Sequence, residues 1–359
     1  MVVRGLNLTG FRNYKTLSAK FSPACNWIIG SNGQGKTNLV EAIHYLCNLE
    51  SFRTRKTSVL LNTESNTARL VGEVERNSVL HKIDVTVNEK GRRVLLDHKV
   101  FQRTSEFVLS FASLAFTPEG VSLFRNQPQE RRRFFNRILS LVDSAHLADL
   151  QSYMEVLGQK NILLKKQQRD AEIKPWNELL ARYGVSIIKK RETFVTQVNE
   201  TLTSVFQELT GREEALELQY EPALRHWDKG EDSVLQEIEN SLGRERQYGH
   251  ALVGPHRDDY RMRLAERRDR EFFSQGEYRI TYLSLKLCIN SVLLKNTGSH
   301  PVIILDDLFS ELDQGVVNHT ISTLEKMDNQ VFITAATLPQ GGAVQGTQIQ
   351  VSQGRILEE

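Results

Sequence analysis

A glycine-rich loop set between an apolar run and a helical pattern constrains this chain more than any other feature. The apolar run covers residues 27–29, and the loop, residues 30–37, has the pattern G-x-x-x-x-G-K-T. Glycines permit positive φ, so the backbone N–H groups of such a loop can point inward at an anion. The helix that follows adds unpaired N–H donors and the positive end of its dipole. The sequence therefore predicts a strand, a phosphate-binding loop and a helix, which is the setting of a nucleotide site.

Each residue of the loop is a candidate phosphate ligand through its backbone or its side chain: Gly30, Ser31, Asn32, Gly33, Gln34, Gly35, Lys36 and Thr37. Lys36 is expected to neutralise charge on the β- and γ-phosphates, and the Thr37 hydroxyl to ligate Mg²⁺. A glycine turn that matches by accident is the alternative. With Gly at about 7% of residues, the bare pattern arises by chance in roughly one chain in a hundred of this length. The flanking strand and helix favour the nucleotide site further.

An acidic motif follows a later apolar run. Residues 301–305 are strand-like and lead into Asp306 and Asp307. In a parallel sheet both carboxylates would stand at the carboxyl edge, where ligands of open α/β sheets bind. Asp306 would then hold Mg²⁺ through its water ligands, and Asp307 would accept a proton from, or orient, an attacking water. An acidic pair that only solvates a strand end is the alternative, which the upstream phosphate loop and the following Ser310 and Asp313 disfavour.

Four residues ahead of a late amphipathic helix form another candidate site: Ser274, Gln275, Gly276 and Glu277. Ser-x-x-Glu is a helix capping box, which needs no ligand. Capping and anion binding do not exclude each other, because both use the unpaired N–H groups of a helix start. Gly276 favours a close backbone approach to a ligand, since a cap alone does not require glycine there.

The periodicity of the chain divides it into two parts. From 68 to 101 apolar and polar residues alternate, which predicts a half-buried antiparallel sheet. Residues 126–244 follow helical spacing and predict two long antiparallel helices, with a break at Pro175 and a second helix of roughly 34 residues and about 50 Å. We therefore expect an α/β fold in which residues 1–125 and 245–359 form one domain and residues 126–244 form a helical insertion.

Composition excludes several classes of protein. A hydrophobic fraction of 40% and a charged fraction of 25% are ordinary for a globular protein. No apolar run approaches the ~20 residues of a membrane helix, so no membrane partner is expected. Cys25, Cys47 and Cys288 lie in mostly apolar settings and are expected to be buried thiols in a reducing cytosol. Since the formal net charge is only +2, any basic surface that binds nucleic acid must be local.

Two basic clusters are candidates for such a surface. The first consists of Arg53, Arg55 and Lys56 on an expected loop, and the second is the run of three arginines at residues 131–133. A solvated surface is the alternative in both cases, because Arg-rich faces of helices and loops are usually only hydrated. The sequence therefore leaves open whether either cluster contacts nucleic acid.

Taken in order, these motifs resemble those of ATP-binding-cassette ATPases of the SMC-like kind. The matching segments are Walker A at 30–37, the signature motif at 274–277, Walker B at 303–307 and the D-loop at 310–313. More narrowly, the chain resembles the RecF family of bacterial recombination and gap-repair proteins. The stretches that carry this resemblance span nearly the whole chain: residues 8–14, 51–54, 117–119, 131–134, 254–259 and 306–313.

The resemblance implies an ABC-type ATPase head, with mixed parallel and antiparallel sheets around the Walker A helix, and an inserted antiparallel helical arm. It also implies that two protomers sandwich two ATP molecules with Mg²⁺. Ser274, Gln275 and Gly276 of one copy would face the phosphate loop of the other. Ser310 and Asp313 would belong to the D-loop at the same interface.

The activity implied by the resemblance is that of a slow, DNA-stimulated ATPase with Lys36 and Asp307 as catalytic residues. Arg12, together with the cluster Arg53, Arg55 and Lys56, would contact phosphate or DNA. The ATP-dependent homodimer would clamp single-strand, double-strand or junction DNA, release it on hydrolysis and help to load recombinase. RecR and RecO would be protein partners, and the expected location is the cytoplasm, at the nucleoid.

The chain departs from the family pattern at several positions. Glu277 stands where many members have Gln, and Asp307 where most cassette ATPases have Glu. No histidine follows residues 332–337, where transport cassettes place a switch histidine, and no Q-loop glutamine is identified. The missing histidine disfavours the ATPase subunit of a transporter. A defence ATPase of the same superfamily is a further alternative, whereas a small-molecule kinase would leave the signature helix and D-loop without a role.

Overall fold

The computed structural model describes residues 1–101, 107, 110–268, 273–339 and 345–357. The chain forms two compact units. The first unit comprises residues 1–122, 205–213 and 274–359, and the second comprises residues 123–204 and 214–273. The second unit therefore extends past residue 244, where the helical pattern ends, because the strand at 259–264 pairs with the strand at 216–221.

In the described part of the chain the strands are β1 (Val2–Phe11), β2 (Tyr14–Lys20), β3 (Cys25–Ile29), β4 (Thr67–Arg76), β5 (Val79–Asn88), β6 (Gly91–Leu96), β7 (Lys99–Val100), β8 (Ser113–Phe116), β9 (Leu216–Glu221), β10 (Asp259–Leu264), β11 (Arg267–Arg268), β12 (Val302–Asp306), β13 (Val331–Ala335), β14 (Gly346–Ser352) and β15 (Arg355–Leu357). The helices are α1 (Lys36–Asn48), α2 (Pro118–Val121), α3 (Pro128–Val142), α4 (Ser144–Lys165), α5 (Asp170–Thr210), α6 (Glu231–Tyr248), α7 (Gln275–Thr297) and α8 (Gln314–Glu325).

The first unit contains an antiparallel sheet in the order β2-β1-β4-β5-β6-β7. Its residues alternate between a buried and a polar face, as the period of two predicts. Leu70 of β4 lies opposite Val85 of β5, and both are fully buried. The turn from β5 to β6 follows Asn88, which pairs with Gly91. The prediction of a half-buried antiparallel sheet is confirmed.

The second sheet of this unit has the order β15-β14-β3-β13-β12-β8, and only the pairing of β15 with β14 is antiparallel. Every residue of β3, β12 and β13 is buried, which is typical of a parallel sheet covered on both faces. The carboxyl ends of these strands meet at one edge of the sheet. The phosphate loop follows β3 at this edge, and Asp306 ends β12 beside it.

Helix α1 shares one apolar core with both sheets. Leu39, Ile43 and Leu46 on α1 are fully buried and belong to the same cluster as Leu70 of β4 and Phe332 of β13. A Cβ atom at Gly72 of β4 would come within 2.1 Å of Leu46 Cδ2, so glycine at this position lets the helix approach the sheet. The α/β fold class expected from the motifs is confirmed.

The second unit is built on helices α4, α5 and α6 and on the small antiparallel sheet β11-β10-β9. Leu157 of α4, Ile187 and Ile188 of α5, and Ile238 of α6 are buried in one apolar cluster. Ser186 Oγ and Lys190 Nζ of α5 also contact Asp149 Oδ2 of α4, at 2.6 and 2.8 Å. The helices thus cover each other's apolar stripes, as amphipathic periodicity requires.

The break expected at Pro175 is wrong. Helix α5 runs for 41 residues from Asp170 to Thr210 with Pro175 inside it. Proline at the sixth helical position removes one hydrogen bond, to the carbonyl of Ala171, which lies in the exposed first turn and can turn to water. The helix ends as expected before Gly211, which has φ +67° and donates its N–H to Gln207 O at 2.8 Å.

Arg191, which interrupts the apolar seam of α5, is a buried member of an ionic network. Its guanidinium pairs with Asp258, and the exposed fractions of the two side chains are 1% and 0%. It also donates to Pro255 O and Asn136 Oδ1, both at 2.9 Å. The Asp258 carboxylate accepts two more hydrogen bonds, from the Tyr220 hydroxyl and from a backbone N–H. A buried charge of this kind is tolerated because its partners satisfy it.

The arginine run at 131–133 belongs to the same network, so its interpretation as a DNA surface is wrong for its first member. Arg131 is fully buried and forms two hydrogen bonds with the carboxylate of Asp259, at 2.7 and 2.8 Å. Arg132 donates to the backbone of Asp258 at 2.7 Å. Arg133 alone is largely exposed, and it pairs with Glu130. This run therefore serves mainly to join α3 to β10.

The three cysteines are buried and free, as expected. None of the helices in the described part of the chain has both the length and the apolar character needed to cross a bilayer.

Candidate functional site

The phosphate loop joins β3 to α1 with its backbone N–H groups at the start of the helix. The first hydrogen bond of α1 runs from Leu39 N to Gly35 O at 3.0 Å, and no side chain caps this start. Gly35 has φ +117°, and a Cβ atom there would lie 2.6 Å from Asn13 Nδ2, so only glycine fits. The loop and the helix start together form a cradle for an anion.

Two distant turns hold this loop in place. From the turn between β1 and β2, Asn13 Nδ2 donates to Gln34 O at 3.2 Å, and the buried Tyr14 hydroxyl donates to Gly35 O at 3.0 Å. From the turn between β14 and β15, Gln353 N donates to Gln34 Oε1 at 2.7 Å. The shape of the cradle is therefore fixed by side chains and backbone on both sides.

Lys36 extends along the inside of the loop. Its Nζ donates to Gly30 O at 2.6 Å and to Ser31 O at 3.0 Å, and the residue is only 9% exposed. Burial lowers the pKa of Lys36, whereas the charges of Asp307 and Asp306 act to raise it. The ammonium group therefore lies between the loop and the acidic pair, where a terminal phosphate of a nucleotide would bind.

Asp306 lies against two threonine hydroxyls rather than against a basic side chain. Thr37 Oγ1 donates to Asp306 Oδ1 at 2.9 Å, and Thr334 Oγ1 donates to the same atom at 2.7 Å. Asp306 is 3% exposed, and burial raises its pKa, although both hydroxyls act to lower it. A buried carboxylate surrounded by oxygen atoms at the end of an anion cradle fits Mg²⁺, which prefers oxygen ligands.

Asp307 is exposed and has φ +50°, which is unusual for a residue other than glycine. Its N–H donates to Thr334 Oγ1 at 2.9 Å, so the threonine holds this backbone conformation. Ser310 Oγ donates to Asp307 O at 3.2 Å, and Asp313 caps α8 by accepting from Val316 N at 3.0 Å. Strained backbone held by neighbours is common at functional sites, and here it directs a carboxylate outward beside Lys36.

Sequence reasoning missed three residues that shape this site. Thr334 donates its hydroxyl to Asp306, and Asn13 holds the phosphate loop by donating to Gln34 O. Glu119 follows β8, the neighbour of β12, and its charge adds to the burial that raises the pKa of Asp306. Thr334 lies within an apolar strand, and Glu119 follows one. Because parallel strands end at one edge of a sheet, these positions were the sequence signal for both residues.

The signature turn lies at the surface of the first unit. Ser274 caps α7 by accepting from Glu277 N at 3.2 Å, and Glu277 Oε2 accepts from Ser274 N at 2.8 Å, so the capping box is confirmed. Ser274 and Gln275 are exposed, and a Cβ atom at Gly276 would meet nothing within 4 Å. Among the described residues, no hydrogen bond or ion pair joins these three to the phosphate loop or the acidic pair.

The expected phosphate or DNA contacts differ in their surroundings. Arg12 Nε and Nη2 donate to the two oxygens of the fully buried Glu41 at 2.9 and 2.6 Å. Arg53 Nη1 donates to Asn38 Oδ1 at 3.0 Å and lies 3.7 Å from Glu41 Oε2. Glu41 thus holds both arginines beside the phosphate loop. The two remaining members of this set are exposed: Arg55 and Lys56.

Comparison with known proteins places these observations in a family. Residues 2–352 match the family described as RecF/RecN/SMC N terminal domain. A protein of Geotalea uraniireducens named DNA replication and repair protein RecF is 32% identical over 365 residues, which cover 99% of this chain and 100% of that protein. The protein of the same name from Staphylococcus carnosus is 31% identical over 348 residues, covering 94% of each chain.

Solved structures show the same relationship. The structure described as the recombination mediator protein RecF-ATP in the RecFOR pathway has a TM-score of 0.88 at 28% identity, covering 99% of this chain and 98% of the other. An Smc head bound to the C-winged helix domain of ScpA has a TM-score of 0.59 at 15% identity, which shows a shared fold. On full-length sequence similarity and a shared architecture, the chain belongs to the RecF family of the RecF/RecN/SMC proteins.

Proposed function

We propose that this chain is an ATPase of recombinational repair and gap repair that clamps DNA as an ATP-dependent dimer. The observation that carries the proposal is the contact of Thr37 with Asp306, which unites Walker A and Walker B across 269 residues of sequence. Lys36 lies in the same site and is positioned for the terminal phosphates. These are the parts that phosphoryl transfer from ATP requires, since its catalysis depends on positioning and charge stabilisation.

Each residue of the site has a distinct role in this proposal. Lys36 neutralises charge that develops on the terminal phosphate. Thr37 and Asp306 would hold Mg²⁺, which supplies further charge neutralisation at the phosphates when it is bound. Asp307, exposed beside them, orients the attacking water and accepts its proton. A carboxylate shorter than the Glu of most cassettes reaches less far, in keeping with slow turnover.

The signature turn supports a dimeric site. Ser274 and Gln275 are exposed, and Gly276 borders open space, so the fold of one chain gives no reason for glycine there. A nucleotide held in the cradle of one copy can therefore contact the N-terminus of α7 in another. ATP between two helix starts would join the two copies, and its hydrolysis would remove that bridge.

The relatives support the biological setting. Proteins that match over their full length are named DNA replication and repair protein RecF, and one solved relative is described as a recombination mediator in the RecFOR pathway. By this relationship the chain would bind single-strand, double-strand or junction DNA and act with RecR and RecO to load recombinase. It would do so in the cytoplasm, at the nucleoid.

Sedimentation velocity with and without ATP, repeated with gapped duplex DNA, tests the proposal. The parent protein should dimerise with ATP, and Lys36→Met should lose nucleotide binding and stay monomeric. Asp307→Asn should bind ATP and remain dimeric and DNA-bound after the parent has hydrolysed its nucleotide. Lys20→Met, at an exposed lysine of β2, serves as the matched control and should behave as the parent.

Two results would contradict the proposal. If self-association and DNA affinity of the parent are both indifferent to ATP, the chain is not an ATP-driven clamp. If Asp307→Asn binds ATP but stays monomeric, hydrolysis does not control release.

A further inference from the structure

The second unit ends in a compact surface formed by two helix ends and the loop between α4 and α5. We call this surface the basic tip and define it as residues 161–172 and 243–250. Gln167 Nε2 donates to Arg246 O at 3.1 Å, and the Arg246 guanidinium donates to Gln168 O at 2.6 Å. The stem of Lys165 lies against Gly249, whose added Cβ atom would come within 3.5 Å of Lys165 Cγ. The two segments therefore form one surface.

The basic tip contains five cationic and three acidic side chains, so a short part of the chain carries a net charge of +2, as large as that of the whole chain. Its cationic side chains are Lys165, Lys166, Arg169, Arg244 and Arg246. Two of these have carboxylate partners, since Arg246 pairs with Asp170 and Arg169 lies 3.8 Å from Glu172. The third acidic residue, Glu245, is buried and forms an ion pair with the buried Lys160, so it does not face the surface.

Three cations of the tip are available to an external anion. Lys165, Lys166 and Arg244 are exposed, and none pairs with a carboxylate in the part of the chain that the structure describes. Lys165 and Arg246 lie in the last turns of α4 and α6, where they offset the negative ends of the helix dipoles. The helix dipoles do not explain why Lys166 and Arg244 are basic.

An aromatic side chain stands among these cations. Tyr248, the last residue of α6, is 66% exposed, more than any other large apolar side chain in the described part of the chain. Arg244 lies one turn before it on the same face of the helix. The rings of His250 and Tyr248 form an edge-to-face pair with centroids 6.2 Å apart, which leaves at least one face of the tyrosine ring to other contacts.

We propose that the basic tip binds single-stranded nucleic acid, with backbone phosphates on Lys165, Lys166 and Arg244 and a base stacked on Tyr248. Cations that follow a backbone, interleaved with an aromatic ring for stacking, are the chemistry by which proteins hold single strands without reading their sequence. The inference rests on the proposed function in that it names one DNA-contacting surface of the clamp. It concerns residues far in sequence from the nucleotide site.

Fluorescence anisotropy with the full chain tests this surface, with a labelled oligothymidylate of ~20 nucleotides and an abasic strand of the same length. Lys165→Gln combined with Lys166→Gln should lower the affinity for both strands. It should also reduce the slope of log affinity against log salt by about 1.4, which is two phosphate contacts at about 0.7 each. Lys20→Gln combined with Lys90→Gln, at two exposed lysines of the first unit, should leave affinity and slope unchanged.

Tyr248 gives the sharper test because stacking needs a base. Tyr248→Ala should lower the affinity for oligothymidylate at least about fivefold and leave the affinity for the abasic strand unchanged. Tyr248→Phe keeps the ring and should stay within about twofold of the parent. ATP hydrolysis without DNA should match the parent in every variant, which shows that each remains folded.

Three results would overturn the inference. An unchanged salt slope in the double lysine variant would remove the phosphate contacts from the tip. Equal losses on the base-containing and abasic strands for Tyr248→Ala would exclude stacking. A parent protein that binds neither strand, nor gapped duplex, would refute the proposed function itself as well as the tip.

Discussion

The chain contains two pairs of adjacent aspartates that look alike in the sequence and differ in the partners of their carboxylates. Asp258 and Asp259 stand at the start of β10, and Asp306 and Asp307 at the end of β12. The first member of each pair is buried. In the second unit arginines pair with both carboxylates, whereas in the first unit Asp306 accepts from two threonine hydroxyls and Asp307 is exposed. This difference separates a structural clamp from a site that can receive a cation.

The pair at β10 is satisfied within the chain. Asp258 pairs with Arg191, and Asp259 with Arg131 and Arg261. Burial alone would raise the pKa of Asp259, but the hydrogen bonds of Arg131 and the backbone, with the nearby positive charges, outweigh it and lower the pKa. The charges of both carboxylates are therefore already paired with arginines within the chain.

The pair at β12 has no arginine partner among the described residues, and the Lys36 ammonium is the cation near it. Burial raises the pKa of Asp306, and the hydrogen bonds from Thr334 and Thr37 offset this only in part. In the ranges that the structure describes no guanidinium lies beside Asp306, and a bound divalent cation would stabilise such a buried carboxylate. The comparison teaches that the partners of a buried acidic pair, rather than its burial, indicate whether it binds something.

Neutralising Asp258 should have the largest effect on stability. Asp258→Asn leaves Arg191 buried without its counter-charge and should lower the free energy of unfolding by about 3–5 kcal/mol. Asp306→Asn keeps hydroxyl contacts and removes an uncompensated charge, so its free energy of unfolding should stay within about 1 kcal/mol of the parent. Urea unfolding followed by circular dichroism measures both. Equal losses in the two variants would show that the two pairs do not differ as described.

The second prediction concerns the cation site. Asp306→Asn should weaken the apparent affinity for Mg²⁺, titrated in the presence of ATP, by about 10–100-fold, as removal of a residue that orients metal ligands commonly does. Asp259→Asn is the matched control at the other pair and should leave the Mg²⁺ titration unchanged in the fraction that folds. A Mg²⁺ affinity that is the same in Asp306→Asn and the parent would place the cation elsewhere.

The smallest predicted effect is an opposite dependence on pH. The folded-state pKa of Asp306 lies above its ordinary value of 3.8, so its cost to stability is full at neutral pH and is relieved as pH falls through that raised pKa. The folded-state pKa of Asp259 lies below 3.8, so its contribution is full above 3.8 and is lost as pH falls through the lower value.

Unfolding free energies measured from pH 7 to about pH 3 should therefore separate the pairs by the direction in which they change. The parent should gain stability relative to Asp306→Asn as pH falls toward 3.8. The difference in unfolding free energy between the parent and Asp259→Asn should be constant above pH 3.8 and shrink below pH 3.8. A parent that loses stability relative to Asp306→Asn on acidification would contradict the raised pKa.

Much of the nucleotide site could be predicted from the sequence because its parts are local. The loop, the helix after it and the strand before Asp306 are each contiguous, and their residue types are required by their conformations. The half-buried sheet was predictable for the same reason, because alternating apolar and polar residues indicate strands with one buried face. The sequence marked Glu119 and Thr334 only as residues after or within apolar strands, and the order of strands in the folded sheet is what brings them beside Asp306.

The second unit shows what local patterns cannot reveal. The arginine run beginning at Arg131 looks like a nucleic-acid surface until Asp259, 128 residues later, is placed against it. Arg191 reads as an interruption of a helical seam, and only its contact with Asp258 explains why an arginine is buried there. The role of a charged residue therefore cannot be inferred from the sequence alone, because it depends on a partner that only the tertiary structure brings into contact.

The position of β3 has a consequence for synthesis of the protein. Both neighbours of this strand in the sheet, β13 and β14, lie far downstream of it in the chain. The turn that follows β14 also supplies Gln353 to the phosphate loop. A growing polypeptide therefore carries an unpaired central strand until β13 and β14 have been made, and until then the phosphate loop also lacks its contact with Gln353.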